Sequence, residues 1–293
     1  MQCELITCVT ADNVKLHGAF LSADTNIDEP VDLDAVVILH GLGGNFYGSR
    51  LLEGIARLYA SLGVHVVLVN TRGHDGVNLT TVSGSSKMLG AAFEIVDECR
   101  YDVDGWCDWL VRRGHRQIGL AGHSLGAIKS IYSQALQPHP NVCQIVALST
   151  SRLSHHRFLE SSAKERFLGW FEKAQQMVAD GIGNELMHVD FPFPTFISAS
   201  AYVDKYGPAE RYNWLRVFDK VRVSTLLMFG ELELKQNAAF QGVLEEIDQL
   251  ELKHNRVSVN VIDGADHFYS GRRAKAIEAV REWQIDSHPG AGG

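Results

Sequence analysis

The chain has 293 residues, of which 45% are hydrophobic and 21% charged, and a formal net charge of −8. That length suits one large α/β domain or two small ones, and the composition is ordinary for a globular protein. No basic run is present, which argues against nucleic acid or an anionic membrane as partner.

The start, Met1-Gln2-Cys3-Glu4-Leu5-Ile6-Thr7, has no basic stretch followed by an apolar core, and no apolar run is long enough to span a bilayer. A cytoplasmic location is expected. Five cysteines (Cys3, Cys8, Cys99, Cys107, Cys143) without a C-x-x-C pair read as reduced thiols, not as a disulfide frame or zinc site.

Residues 3–10 and 14–22 are β-rich runs joined by Ala11-Asp12-Asn13, a hairpin signal and an antiparallel edge. Residues 24–34 are acidic, contain Pro30 and read as loop. Ala35-Val36-Val37-Ile38-Leu39 is solidly apolar, as in a strand covered on both faces, and ends in His40-Gly41-Leu42-Gly43-Gly44. A helix is expected over 49–62, a buried strand over 64–69, loop over 78–90, and an amphipathic helix over 98–113 with Trp106 and Trp109.

Gln117-Ile118-Gly119-Leu120-Ala121 reads as a buried strand, and residues 127–136 have helical spacing of apolar residues. Between them stands Gly122-His123-Ser124-Leu125-Gly126. A G-x-S-x-G at a strand-to-helix junction is a nucleophile elbow: the glycines permit a sharp turn that holds the serine in a strained conformation over the sheet edge. The free N–H groups of the following helix face any negative charge that develops there. The plainer reading is a Gly-rich turn with a capping serine.

A strand at 142–148 follows, and then the alternation stops. Residues 158–179 read as mostly helical, Phe191-Pro192-Phe193-Pro194 as a break, and 208–214 as a short helix. Strands resume at 225–230 and 257–262, with helices expected over 237–250 and 272–285 and a frayed tail from Pro289. Alternating strands and helices imply a mostly parallel, doubly wound sheet with right-handed crossovers. Ligands of such sheets bind beyond the carboxyl ends of the strands.

Four loops at that edge carry chemistry: Ser124; Asp263-Gly264-Ala265-Asp266-His267; Gly230-Glu231-Leu232-Glu233; and the glycine-rich run after Leu39. A serine hydroxyl needs a base, histidine suits neutral pH, and the histidine needs a carboxylate to fix its tautomer. The order Ser, acid, His matches this topology.

With Asn70-Thr71-Arg72-Gly73 added, these motifs resemble the α/β-hydrolase superfamily from Leu5 to Trp283, in its capped serine hydrolase or esterase form. The resemblance implies Ser124 as nucleophile, His267 as base and Glu233 as acid, a position where aspartate is commoner. Glu231, Asp263 and Asp266 compete for the acid role. The oxyanion hole would be the N–H groups of Leu125 and Leu42, with Gly43 as the alternative for the second. No phosphate or dinucleotide fingerprint appears, so no cofactor and no metal is expected. His155-His156 lacks further ligands at metal spacing. His40 and His123 read as structural, and Arg72 as a residue that holds its loop.

Residues 1–150 and 220–293 would form the hydrolase core, and 151–219 a helical cap inserted between two sheet strands. The cap is aromatic-rich, and Tyr202, Tyr206 and Tyr212, each with a polar tip on an aromatic body, are the substrate-binding candidates. The expected function is hydrolysis of a carboxylic ester, or a related acyl bond, of a small or medium acyl substrate. Lactone, amide or carbon–carbon bond hydrolysis and acyl transfer use the same triad. A non-catalytic ligand receptor of this fold would be expected to have lost a triad member or an oxyanion glycine. The sequence leaves monomer and homodimer both open.

Overall fold

The computed structural model describes residues 3–25, 27, 31–250 and 257–287. The chain opens with an antiparallel pair, β1 (Glu4–Val9) and β2 (Lys15–Leu21), turning through Asn13 at φ 65°. It then runs β3 (Ala35–Leu39), α1 (Arg50–Ser61) and β4 (His65–Val69). Next come β5 (Asn78–Val82) and β6 (Ser85–Leu89), α2 (Cys99–Arg112), β7 (Ile118–His123), α3 (Leu125–Leu136) and β8 (Val142–Leu148).

The segment after β8 holds α4 (His155–Glu160), α5 (Lys164–Ala179), β9 (Leu186–Val189), β10 (Thr195–Ser198) and α6 (Ala199–Tyr206). The chain then returns through β11 (Ser224–Gly230), α7 (Glu231–Gln236), α8 (Val243–Asp248), β12 (Val257–Ile262) and α9 (Arg273–Ser287).

Eight strands form one sheet in the order β1-β2-β4-β3-β7-β8-β11-β12. From β4 to β12 all neighbours are parallel, while β2 meets both β1 and β4 antiparallel. All five residues of β3 are buried because helices cover both faces. Its side chains alternate accordingly. Val37 and Leu39 pack with Trp106 of α2 and Ile128 of α3, whereas Val36 and Ile38 pack with Ile55 of α1 and Val280 of α9. The strand order reverses beside β3, and the loops after β3 and β7 flank a crevice at their carboxyl ends.

Several elements differ from the sequence expectation. Residues 78–90, expected as loop, form the β5–β6 hairpin. Its strands are polar, so hydrophobic periodicity does not reveal them. The tight two-residue turn Ser83-Gly84 has φ of 50° and 82°, which suits strand twist. The helix expected over 237–250 is confined to α8, because Gly242 at φ 74° breaks it, and a separate short helix, α7, precedes it.

Between β8 and β11 the structure has a hairpin as well as helices. β9 and β10 pair antiparallel outside the main sheet. Residues 208–213 are turn and irregular chain, a one-turn 3-10 helix begins only at Trp214 (Trp214–Arg216), and the α-helix lies earlier, in α6. Ser198 caps it by accepting from Ala201 N–H at 3.2 Å, and Gly207-Pro208 follows its end. The tail from Pro289 lies outside the described residues, as do residues 26 and 28–30 of the expected 24–34 loop. Among the described residues no helix is long and apolar enough to cross a membrane.

Candidate active site

Ser124 sits between β7 and α3 at φ 57°, ψ −120°, a conformation costly for a residue with a side chain. Its neighbours show why glycine flanks it. A Cβ on Gly122 would lie 2.3 Å from the Gly126 carbonyl oxygen, and one on Gly126 would lie 2.5 Å from the carbonyl oxygens of His40 and Leu39. The Ser124 N–H donates to Leu148 O at 2.8 Å, tying the turn to β8.

His267 follows β12 after a turn at Gly264, φ 64°. Its ring lies against Phe240, His123 and Phe268, with centroids 5.5, 4.9 and 5.0 Å away. The His123 Nε2–H donates to the His267 carbonyl at 2.7 Å and so fixes the loop. Burial, and then the neighbouring His267, lowers the His123 pKa to about 4, so that ring is neutral at pH 7.

Glu233, in the first turn of α7, is the carboxylate at the His267 ring. The ring Nδ1–H donates to Glu233 Oε2 at 2.7 Å. The other oxygen, Oε1, accepts from Gly230 N–H at 2.8 Å and from Ser149 Oγ at 2.7 Å. Glu233 is therefore held by three donors while buried. The competing carboxylates face elsewhere. Glu231 pairs with Lys235 and accepts from Gly264 N–H, and Asp266 accepts from Phe268 and Ser270 N–H. The Asp263 carboxyl is turned to Glu231.

Ser149 was not legible as a site residue. It directly follows β8 at φ 51°, and its hydroxyl contacts both Glu233 and, at 3.0 Å, Tyr269.

Ser124 and His267 line one cleft of about 360 Å³, together with Gly41, Leu42, His123, Phe193, Pro194, Thr195, Asn237 and Phe268. Among the described residues no hydrogen bond joins the Ser124 hydroxyl to the His267 ring; such bonds are often long without substrate and close in the complex. The N–H groups of Leu42 and Leu125 have no acceptor among the described residues, which leaves both donors free beside Ser124. Leu125 opens α3, so the helix dipole adds to that pull on negative charge.

The loop carrying Leu42 is set by His40. Its Nε2 accepts from Thr71 N–H at 3.1 Å, so the proton sits on Nδ1, which donates to Gly41 O at 2.8 Å. Burial, and then Lys129, lowers the His40 pKa to about 3. Arg72 holds its own loop through Asp102, Asp12 and Glu98.

The three tyrosines separate. Tyr206 lines a small cavity with Ser124. Tyr202 and Tyr212 line neither of these cavities: both are buried, and their hydroxyls are committed. Tyr202 donates to Phe191 O at 3.1 Å; Tyr212 donates to Asp204 at 2.6 Å and accepts from Asp97 N–H at 3.1 Å. An aromatic with a polar tip was readable in sequence, but which way the tip points depends on packing. Among the described residues no cluster of three metal-ligating side chains is present.

A family profile described as "Alpha/beta hydrolase family" matches residues 36–283. No curated protein matches the sequence. Among solved structures, the chain is similar to the alpha/beta hydrolase GrgF from Penicillium, with a TM-score of 0.70 at 14% identity over 98% of this chain and 99% of that one. It is similar to Est1E from Butyrivibrio proteoclasticus, solved with ferulic acid bound, with a TM-score of 0.64 at 15% identity over 95% and 98% of the two chains. It is also similar to the Pyrococcus furiosus esterase Pf2001, with a TM-score of 0.62 at 16% identity over 99% and 91%.

Proposed function

The chain belongs to the alpha/beta hydrolase family, and from that footing we propose that it is a serine hydrolase cleaving a carboxylic ester of a small or medium acyl substrate. The observation that carries the reading is the 2.7 Å bond between His267 Nδ1 and a buried Glu233, on a ring that shares its cleft with the strained Ser124.

With Nδ1–H committed to Glu233, the neutral ring presents Nε2 as a base. Ser124 Oγ attacks the ester carbonyl while His267 takes its proton. The carbonyl oxygen becomes an oxyanion, received by the Leu42 and Leu125 N–H groups. His267 returns the proton to the departing alcohol, leaving an acyl group on Ser124. Water then attacks that acyl carbon, His267 again takes the proton, and the acid leaves with Ser124 restored.

In this reading residues 151–219 act as a cap. Phe193, Pro194 and Thr195 from the β9–β10 hairpin close one side of the cleft and would shield the reacting carbonyl from bulk water.

The test is a panel of p-nitrophenyl esters, lactones and anilides with wild type and Ser124→Ala. Ester turnover should dominate, and the variant should fold yet lose about 10³-fold or more in kcat. Turnover that survives in the variant would overturn the reading; turnover confined to lactones or anilides would move the reaction class.

A further inference from the structure

Behind Ser124 lies a small cavity lined by Leu42, Ser124, Leu125, Ser151, Leu153, Phe193, Lys205 and Tyr206. It touches both candidate oxyanion donors and the candidate nucleophile. Its one cationic side chain is Lys205, from α6, which is buried. Lys205 Nζ has no hydrogen-bond partner among the described residues. Leaving a buried ammonium without a partner is expensive, so this donor requires an explanation.

The surrounding charges satisfy it only in part. Glu94 Oε2, itself without a hydrogen-bond partner among the described residues, forms an ion pair with Lys205 Nζ at 4.0 Å, a separation too long for a hydrogen bond, so the Lys205 donors stay unused. The same carboxylate is held closely by Lys129, whose Nζ also donates to Thr71 Oγ1 at 2.8 Å. Asp204 is taken by Arg211 and the Tyr212 hydroxyl, each at 2.6 Å. One buried carboxylate thus faces two buried lysines, and the excess charge lies on the cavity side. Burial acts to raise the Glu94 pKa, but Lys129 and Lys205 outweigh it and keep the group below the usual carboxylate value. Burial pulls the Lys205 pKa down, which an arriving anion would reverse.

We propose that Lys205 receives a carboxylate on the acyl part of the substrate, making the preferred substrates half-esters of short dicarboxylic acids. This rests on the serine hydrolase reading. The acyl chain would enter the Lys205 cavity while the alcohol stays in the larger cleft. As it stands the cavity has room for about one water-sized group. Phe193 forms a wall of both spaces and is partly exposed, so its rotation would join them.

The experiment compares monoethyl malonate and monoethyl succinate with their neutral isosteres, ethyl 3-methylbutanoate and ethyl 4-methylpentanoate. Wild type should favour a half-ester in kcat/KM by about 10-fold or more, the scale of a charge-assisted hydrogen bond out of water. In Lys205→Met that ratio should fall to one or below. Glu94 keeps Lys129 as its partner in this variant, so no buried charge is orphaned. Lys205→Gln, which retains a donor without the charge, should give an intermediate ratio. A wild-type ratio at or below one overturns the proposal while Ser124-dependent turnover of the neutral esters leaves the hydrolase reading standing. An equal loss on both esters together with a lower melting temperature identifies Lys205 as an anchor for α6 and also overturns it. Absence of Ser124-dependent turnover on all four esters removes both readings.

Discussion

Glu233 Oε2 and His267 Nδ1 meet at 2.7 Å although 34 residues separate them in sequence. The contact follows from register. β11 and β12 are parallel neighbours, with Gly230 opposite Ile262, so the loops after them leave the sheet side by side. Glu233→Gln keeps the size but loses the charge that fixes the imidazole tautomer. It should lower kcat by about 10²–10⁴-fold with only a small change in melting temperature. Comparing p-nitrophenyl acetate kinetics with thermal unfolding checks this; full activity in the variant would exclude Glu233 from the mechanism.

The elbow glycines should be intolerant of even one methyl group. Gly126→Ala would place a Cβ 2.5 Å from two carbonyl oxygens of the chain leaving β3, backbone that cannot swing aside. Overpacking of this kind costs about 1–3 kcal/mol, measurable in urea. Gly169, where nothing lies within 4 Å of an added Cβ, is the control, and its alanine variant should be neutral or slightly stabilised.

Two buried histidines predict acid sensitivity. His40 and His123 have folded pKa values of about 3 and about 4, against 6.5 for the exposed ring. Between those values the unfolded chain binds more protons than the folded one, so stability is full above pH 6.5 and falls as the pH drops toward 4. Each ring contributes up to about 1.4 kcal/mol per pH unit in that window. Urea midpoints at pH 7.5, 6.0 and 5.0 should decline in order; a flat profile would mean that neither ring is held neutral.

The cap aromatics should divide by where they point. Phe193→Ala opens the wall between the two cavities and should shift acyl-length preference at little cost in stability, because its ring is partly exposed. Tyr202→Phe removes the hydroxyl that donates to Phe191 O and should cost about 1 kcal/mol without changing that preference. The opposite pattern, selectivity moving with Tyr202 and not Phe193, would relocate the acyl pocket.

The sheet was legible because its strands are covered on both faces, and residues such as Ala35-Val36-Val37-Ile38-Leu39 have no polar position to confuse the reading. That Ser124, Glu233 and His267 come together was legible because topology puts strand-end loops on one edge, so position in the chain order stood in for three-dimensional proximity. The β5–β6 and β9–β10 hairpins were not, since their strands are short and partly exposed. The Glu94–Lys129–Lys205 cluster was also hidden. Its members come from the loop after β6, from α3 and from α6, and Lys129 looks in sequence like the polar position of an ordinary helix.

The central claim is that Ser124 is a nucleophile activated through His267, and covalent labelling tests it most directly. Wild type and Ser124→Ala would be treated with a fluorophosphonate, digested and mapped by mass spectrometry. The account predicts one phosphonylated residue, Ser124, no label in the variant, and labelling slowed by His267→Ala. Label on another serine, or equal labelling of wild type and Ser124→Ala, would contradict it.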